Sequence, residues 1–409
     1  MKKLILSFAF SLLGLALQAQ NTTIDKTKVQ EDLNQILNDI NNLYVYLDEK
    51  KVDMECITQK YTAKIDGLKN EADVILLFEY LLNEFYDSHI SLTTNIRESY
   101  RLYAPIYVAF DEDKAIIKNV WQTQLANLEN DILGAEIVQF NGGDFSKAIE
   151  EFPALCSDKT SLEVRNWIAN KVLSGKYSEP RILSLKLENG EKLEFDIDRL
   201  TFKNENELLT VQETDDIGII RINNSLGNNQ LITAFDKALD QLLDTKALII
   251  DLRNTNNGGN TYVAKGIMGR FINMELPYQK HHFIESFDGQ PKIVRSWFEL
   301  VSPRGKQYNK PVVVLVGRWT GSMGEGMAVG FDALKRAEIV GTEMKRLAGS
   351  DFDIRINNQR FGYKLILEKL YHVDGTPREK YVPKHYVKQT SIAKDETLEK
   401  GIELLDKVM

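Results

Sequence analysis

Two short apolar runs limit what this chain can fold into more than anything else in it. Ala247-Leu-Ile-Ile-Asp251 and Val312-Val-Val-Leu-Val316 lack the polar/apolar alternation of a strand with one wet face. A strand without that alternation is buried on both faces, as in a parallel sheet covered by helices. Helix-compatible stretches at 231–243, 262–271 and 323–335 are interleaved with these runs. Residues 217–222 and 337–340 read as further strands. Such alternation predicts an α/β core over residues 205–409.

Two other units precede it. Over 25–100 the pattern is helical: Val29, Leu33, Ile36, Leu37, Ile40, Leu43 and Leu47 recur at helical spacing, and a second helix is expected over 72–85. That stretch ends in Tyr86-Asp87-Ser88-His89, followed by the strand-like 90–93. Over 102–200 the pattern changes to short strands at 106–110, 115–120 and 136–140, an amphipathic stretch at 162–174, and a hairpin around Asn189-Gly190. This predicts a small mixed domain.

The first residues read as a signal peptide, 1–19. Met1-Lys2-Lys3 is basic, 4–17 is apolar, and Ala19 offers a cleavage point. The apolar stretch is shorter than the roughly 20 residues a membrane span needs. No cysteine stands at the cleavage point to carry a lipid. The expectation is an exported protein, periplasmic or secreted, with no membrane anchor after leader removal. The net charge of −8, with no long basic run, argues against a nucleic-acid or anionic-membrane partner. Cys56 and Cys156 are the only cysteines, which leaves one disulfide or two thiols.

Ser322 is the leading candidate for chemistry. It follows the strand-like 312–316 and the turn Gly317-Arg-Trp-Thr-Gly321, and a helix-compatible stretch begins at Met323. A serine at a strand-to-helix turn exposes its hydroxyl beside backbone N–H groups that favour negative charge. An acyl-transfer site needs that combination. Helix capping is the other reading of the same serine. The segment Asp251-Leu-Arg-Asn-Thr-Asn-Asn-Gly258-Gly259 carries a strand into a Gly-Gly turn. Such a turn cradles a phosphate, supplies half of an oxyanion hole, or is only a turn; the Lys-Ser/Thr that nucleotide binding requires is absent. His281 and His282 fall in what reads as a polar loop. No H-E-x-x-H or Cys/His cluster points to a metal, and no cofactor is implied. Lys345 lies near Ser322 in sequence, but a Ser–Lys pair requires it to be buried.

Taken together, these segments resemble the tail-specific (C-terminal processing) serine peptidases, nearer the tricorn-core type than the Ser–Lys type. The matching segments are Asp251 to Gly259, Thr320-Gly-Ser322-Met-Gly-Glu325, Ile339-Val-Gly341, Asp87-Ser88-His89, and Asp374-Gly375 followed by Glu379 and Val382-Pro383. The resemblance implies a crotonase/ClpP-like ββα spiral core, a helical N-terminal region, and a PDZ-like domain, where Asp131 to Gly142 matches. It assigns Ser322 as nucleophile, His89 as general base, Ser88 as the serine that orients it, and Glu379 as the acid completing the tetrad, with Glu368 as the alternative. Backbone N–H groups of Gly258 or Gly259 and of Met323 match the oxyanion hole. Leu347 stands where the Ser–Lys branch carries lysine. The implied activity is endopeptidase cleavage of extended polypeptide. A catalytically inactive peptide- or ligand-binding protein on the same scaffold, and an esterase or amidase, are the alternatives.

Overall fold

A computed structural model describes residues 24–203, 206–285 and 290–409; the expected leader lies outside the described residues. Among those described, the strands form three sheets. The core sheet runs in the order His385–Tyr386, Glu338–Gly341, Val312–Val316, Ala247–Asp251, Ile217–Ile222, Leu209–Thr214. All neighbours are parallel except the last pair. Every residue of Ala247–Asp251 and Val312–Val316 is buried, as their lack of alternation requires. Helices Gln230–Gln241, Thr261–Met268 and Met323–Ala333 cover one face through Phe235, Ile267, Met327 and Phe331. The C-terminal helix Glu396–Asp406 covers the other through Leu405, packed with Ile249, Val313 and Leu315.

This parallel register matters for the site. Asp251 pairs with Leu315, so the two strands end side by side and their following loops leave the same end of the sheet. Ligand sites of open parallel sheets form there.

The middle segment forms a separate antiparallel sheet of Ile106–Asp111, Lys114–Val120, Glu136–Phe140, Ile182–Lys186 and Lys192–Asp196. Helix Leu162–Ser174 packs on it, with Val108, Ile117, Ile168 and Leu183 in its core. The N-terminal helices Lys26–Leu43, Met54–Lys64 and Glu71–Asn83 bury Leu33, Ile36, Ile57 and Phe78 against Tyr363, Leu365 and Ile366. Those partners belong to Gly362–Tyr371, the strand at the centre of a third, antiparallel sheet. The turn after residue 83 is thereby carried to the C-terminal half of the chain.

That third sheet corrects the expected polar loop at His281 and His282. Both lie in strand Leu276–Glu285, paired with Ile293–Val301 and Gly362–Tyr371. The polarity of His281 is matched across the sheet. His281 Nδ1 is 2.7 Å from Glu368 Oε1, and its Nε2 is 3.0 Å from Glu299 Oε2. Burial opposes charge on this ring, but the bonds to Glu299 and Glu368 outweigh it and raise its pKa to about 9. A histidine raised above its unfolded value of about 6.5 stabilises the fold fully below that pH and loses its contribution as pH rises through 9. Unfolding free energies of the wild type from urea titration should therefore fall between pH 7 and pH 10 by about 2–3 kcal/mol more than those of His281→Asn.

Among the contacts that join the helical segment to the middle one, two meet at a single junction. Cys56 and Cys156 form a disulfide 100 residues apart in sequence, which answers the pairing question. A cross-link closing a loop of that size stabilises by several kcal/mol, about 4–5 in the chain-entropy account. Beside it the buried carboxylate of Glu84 accepts from Tyr61 Oη at 2.8 Å and from the backbone N–H groups of Leu155, Cys156 and Ser157.

Candidate active site

Ser322 closes the loop that leaves Val312–Val316 and begins helix Met323–Ala333. Its backbone sits at φ 49°, ψ −111°. An ordinary capping serine is extended, and a non-glycine residue in this region costs about 1–3 kcal/mol. Glu325 holds the strained turn. Its carboxylate accepts the N–H of Ser322 at 2.8 Å, of Arg346 at 2.8 Å and of Leu347 at 3.3 Å. Glu325 is wholly buried, and burial pushes its pKa up to about 7. The signal for it is present in the sequence, since Ser322-Met-Gly-Glu325 has the spacing of a capping box, but the residue reading assigned it no role.

The Gly-Gly turn meets Ser322 from the neighbouring strand. A Cβ on Gly258 would stand 2.4 Å from Ser322 Cβ and 3.0 Å from Met323 N, so glycine is needed for this approach. The Gly258 N–H is donated to Thr255 O at 3.0 Å. Gly259 instead abuts the Leu226 backbone, where a Cβ would come within 2.2 Å of its carbonyl oxygen. The Met323 N–H belongs to the first helical turn, whose donors lack intrahelical partners.

His89 lies in the turn after helix Glu71–Asn83, its N–H bonded to Asp87 Oδ1 at 2.9 Å. Its ring Nδ1 is 2.8 Å from Ala348 O, and Nε2 is 3.3 Å from Asp351 Oδ1. Burial lowers its pKa, with Asp351 opposing that effect. The structure therefore brings His89 and Ser322 to one loop rather than into a hydrogen bond. Leu347 is tied to the Glu325 that holds Ser322, and the next residue, Ala348, carries the oxygen bonded to His89. Arg378, buried and absent from the sequence reading, braces this loop through Gly349 O at 2.6 Å.

The remaining candidates are less closely joined. Ser88 Oγ accepts from Trp167 Nε1 at 3.1 Å. Glu379 is half-buried; its Oε2 has no hydrogen-bond partner among the described residues, and burial raises its pKa. Ser88 and Glu379 line the same cavity of about 640 Å³. Glu368, the alternative acid, has its Oε1 2.7 Å from His281 Nδ1. Lys345 is half-buried, with Nζ 3.3 Å from Asn256 O; burial brings its pKa down to about 8 against the pull of Glu325.

Known proteins share this architecture. Mature CPAF superimposes with a TM-score of 0.63 at 15% identity, over 94% of this chain and 96% of that one. The photosystem II D1 C-terminal processing protease gives 0.54 at 14% identity, over 88% and 93%. At these identities the likeness is one of fold. No curated protein sequence matches the chain. Residues 25–83 match the tricorn protease C1 domain. Residues 216–387, which hold Ser322, Gly258 and Glu379, match peptidase family S41, and the protein is a serine-type peptidase.

Proposed function

We propose that the protein is an exported endopeptidase that cleaves extended polypeptide through Ser322, with His89 as general base. The observation that carries this reading is the strained Ser322 backbone, pinned by Glu325 and pressed against Gly258. A turn that only capped a helix would need neither the strain nor the glycine contact. In the reaction His89 Nε2 turns from Asp351 to the Ser322 hydroxyl and takes its proton as Oγ attacks the peptide carbonyl. The Met323 N–H receives the oxyanion together with that of Gly259, since the Gly258 N–H is already donated to Thr255. The protonated imidazole then delivers its proton to the leaving amine, and water hydrolyses the acyl-enzyme by the reverse path. Ser88 and Glu379 complete the tetrad in this reading, with Asp351 holding the resting ring. The core is taken as a crotonase/ClpP-like spiral and residues 102–200 as PDZ-like, so that substrate adds along a sheet edge.

A second reading of the base rests on Lys345. Its amine is depressed toward neutrality, and a Cβ on Gly321, next to Ser322, would lie 3.1 Å from its Cδ. A fluorophosphonate probe tests the shared nucleophile. Wild type should be labelled and Ser322→Ala should not; an unlabelled wild type would instead favour a binding protein on this scaffold.

A further inference from the structure

The cavity beside the candidate nucleophile has an uneven charge. Lys50, Lys171, Arg318, Lys345, Arg346 and Lys380 line it, although the chain as a whole carries −8. Lys50 has Glu163 at 3.6 Å, and Arg346 has Glu343 at 3.6 Å. Among the described residues no carboxylate lies within 4.0 Å of Lys171, Arg318 or Lys345. Of the four acids that line it, Glu49 is engaged by Lys369, Asp87 by Tyr44 Oη and the His89 N–H, and Glu163 by Lys50, whereas Glu379 keeps Oε2 without a hydrogen-bond partner among the described residues.

Among the described residues Lys380 too has no carboxylate within 4.0 Å, but it is exposed; Lys171, Arg318 and Lys345 are built in. The Arg318 guanidinium donates to Met344 O at 2.8 Å and lies 3.8 Å from the Tyr107 ring centroid, which fixes its plane and leaves other N–H donors for a ligand. Lys345 stands 5.2 Å from the Tyr103 ring centroid. Lys171 projects from helix Leu162–Ser174 of the middle unit. Burial pulls all three toward the uncharged form. An entering carboxylate would reverse that tendency, because a hydrogen-bonded ion pair offsets desolvation where a lone charge does not. The cavity also adjoins the site at both ends. Arg318 and Trp319 belong to the loop that ends on Ser322, and Ser88 precedes His89.

We propose that this cavity is a subsite for an acidic side chain of the polypeptide, its carboxylate held by Lys171, Arg318 and Lys345. Its place in a cleavage reaction rests on the peptidase reading; the binding preference does not. The test uses peptides blocked at both ends, identical except for Glu, Gln or Lys at each position in turn. Cleavage products are mapped by mass spectrometry, and binding to Ser322→Ala is measured by fluorescence anisotropy. Glu at one position relative to the cut bond should raise kcat/KM about tenfold over Gln, and the same substitution should tighten binding similarly. Arg318→Met and Lys171→Met should each erase most of that preference while the Gln peptide is still cut. Equal cleavage and equal binding of the Glu and Gln peptides would overturn the subsite. So would binding, in a matched set left unblocked at the C-terminus, that needs the free carboxylate regardless of the Glu. Selective binding of Glu peptides with no cleavage by wild type would uphold the subsite and sink the peptidase mechanism instead.

Discussion

Replacing His89 by alanine is expected to lower kcat by about three orders of magnitude, the usual contribution of a positioned general base. The pH profile identifies the group more sharply than the size of the loss. A base must be uncharged to act. Because burial lowers the His89 pKa, kcat/KM should rise through a pH below 6.5 and be flat around neutrality. If Lys345 were the base, the rise would come near pH 8 and vanish in Lys345→Met, while His89→Ala would keep it. An inflection near 8 that survives in His89→Ala would therefore reject the histidine mechanism. Asp351→Asn adds a second comparison. Releasing the imidazole from that carboxylate should leave kcat within a few fold of wild type, whereas Glu379→Gln should lower it by tenfold or more if Glu379 completes the tetrad.

The largest stability effect is expected at Arg253. Its guanidinium bonds both oxygens of Asp251, at 2.9 and 2.8 Å, and both oxygens of Asp395, at 2.6 and 2.9 Å. Asp251 is wholly buried; burial alone would raise its pKa, but Arg253 and then Arg221 hold it well below the usual carboxylate range. Arg253→Ala leaves that buried charge with Arg221 alone and frees the N-terminus of the last helix, where Asp395 is the capping residue. Removing one partner of a buried pair costs about 3–5 kcal/mol. Denaturant unfolding measures it, and a change under 1 kcal/mol would show that the network contributes little. A depressed carboxylate stabilises above its unfolded pKa of about 4 and loses that contribution as pH falls below it, so the variant should lag wild type least in acid.

What was legible in the sequence was local. The two central strands announced themselves because every side chain in them is buried, and the Gly-Gly turn and Ser322 lie within a few residues of those strands. The strands that carry His281, Glu299 and Glu368 did not, because each charged residue is neutralised by a partner far along the chain; His281 and Glu368 are 87 residues apart. A polar stretch read alone looks like a loop. His89 was reached only through a family resemblance, and its contacts, Ala348 and Asp351, lie more than 250 residues downstream. No local periodicity encodes such a meeting. Glu325 and Lys345 show a third case: their positions were visible, but burial gives them their character, and burial is a property of the folded chain.

The Glu84 junction has a consequence for how substrate gets in. Tyr46 and Lys50 on one wall of the cavity, and Trp167 and Lys171 on another, belong to the two segments that Glu84 and the adjoining covalent bridge clamp together. These ties oppose a hinged separation of the two walls. Under the proposed cleavage of extended polypeptide, an entrance braced in this way is expected to exclude folded domains.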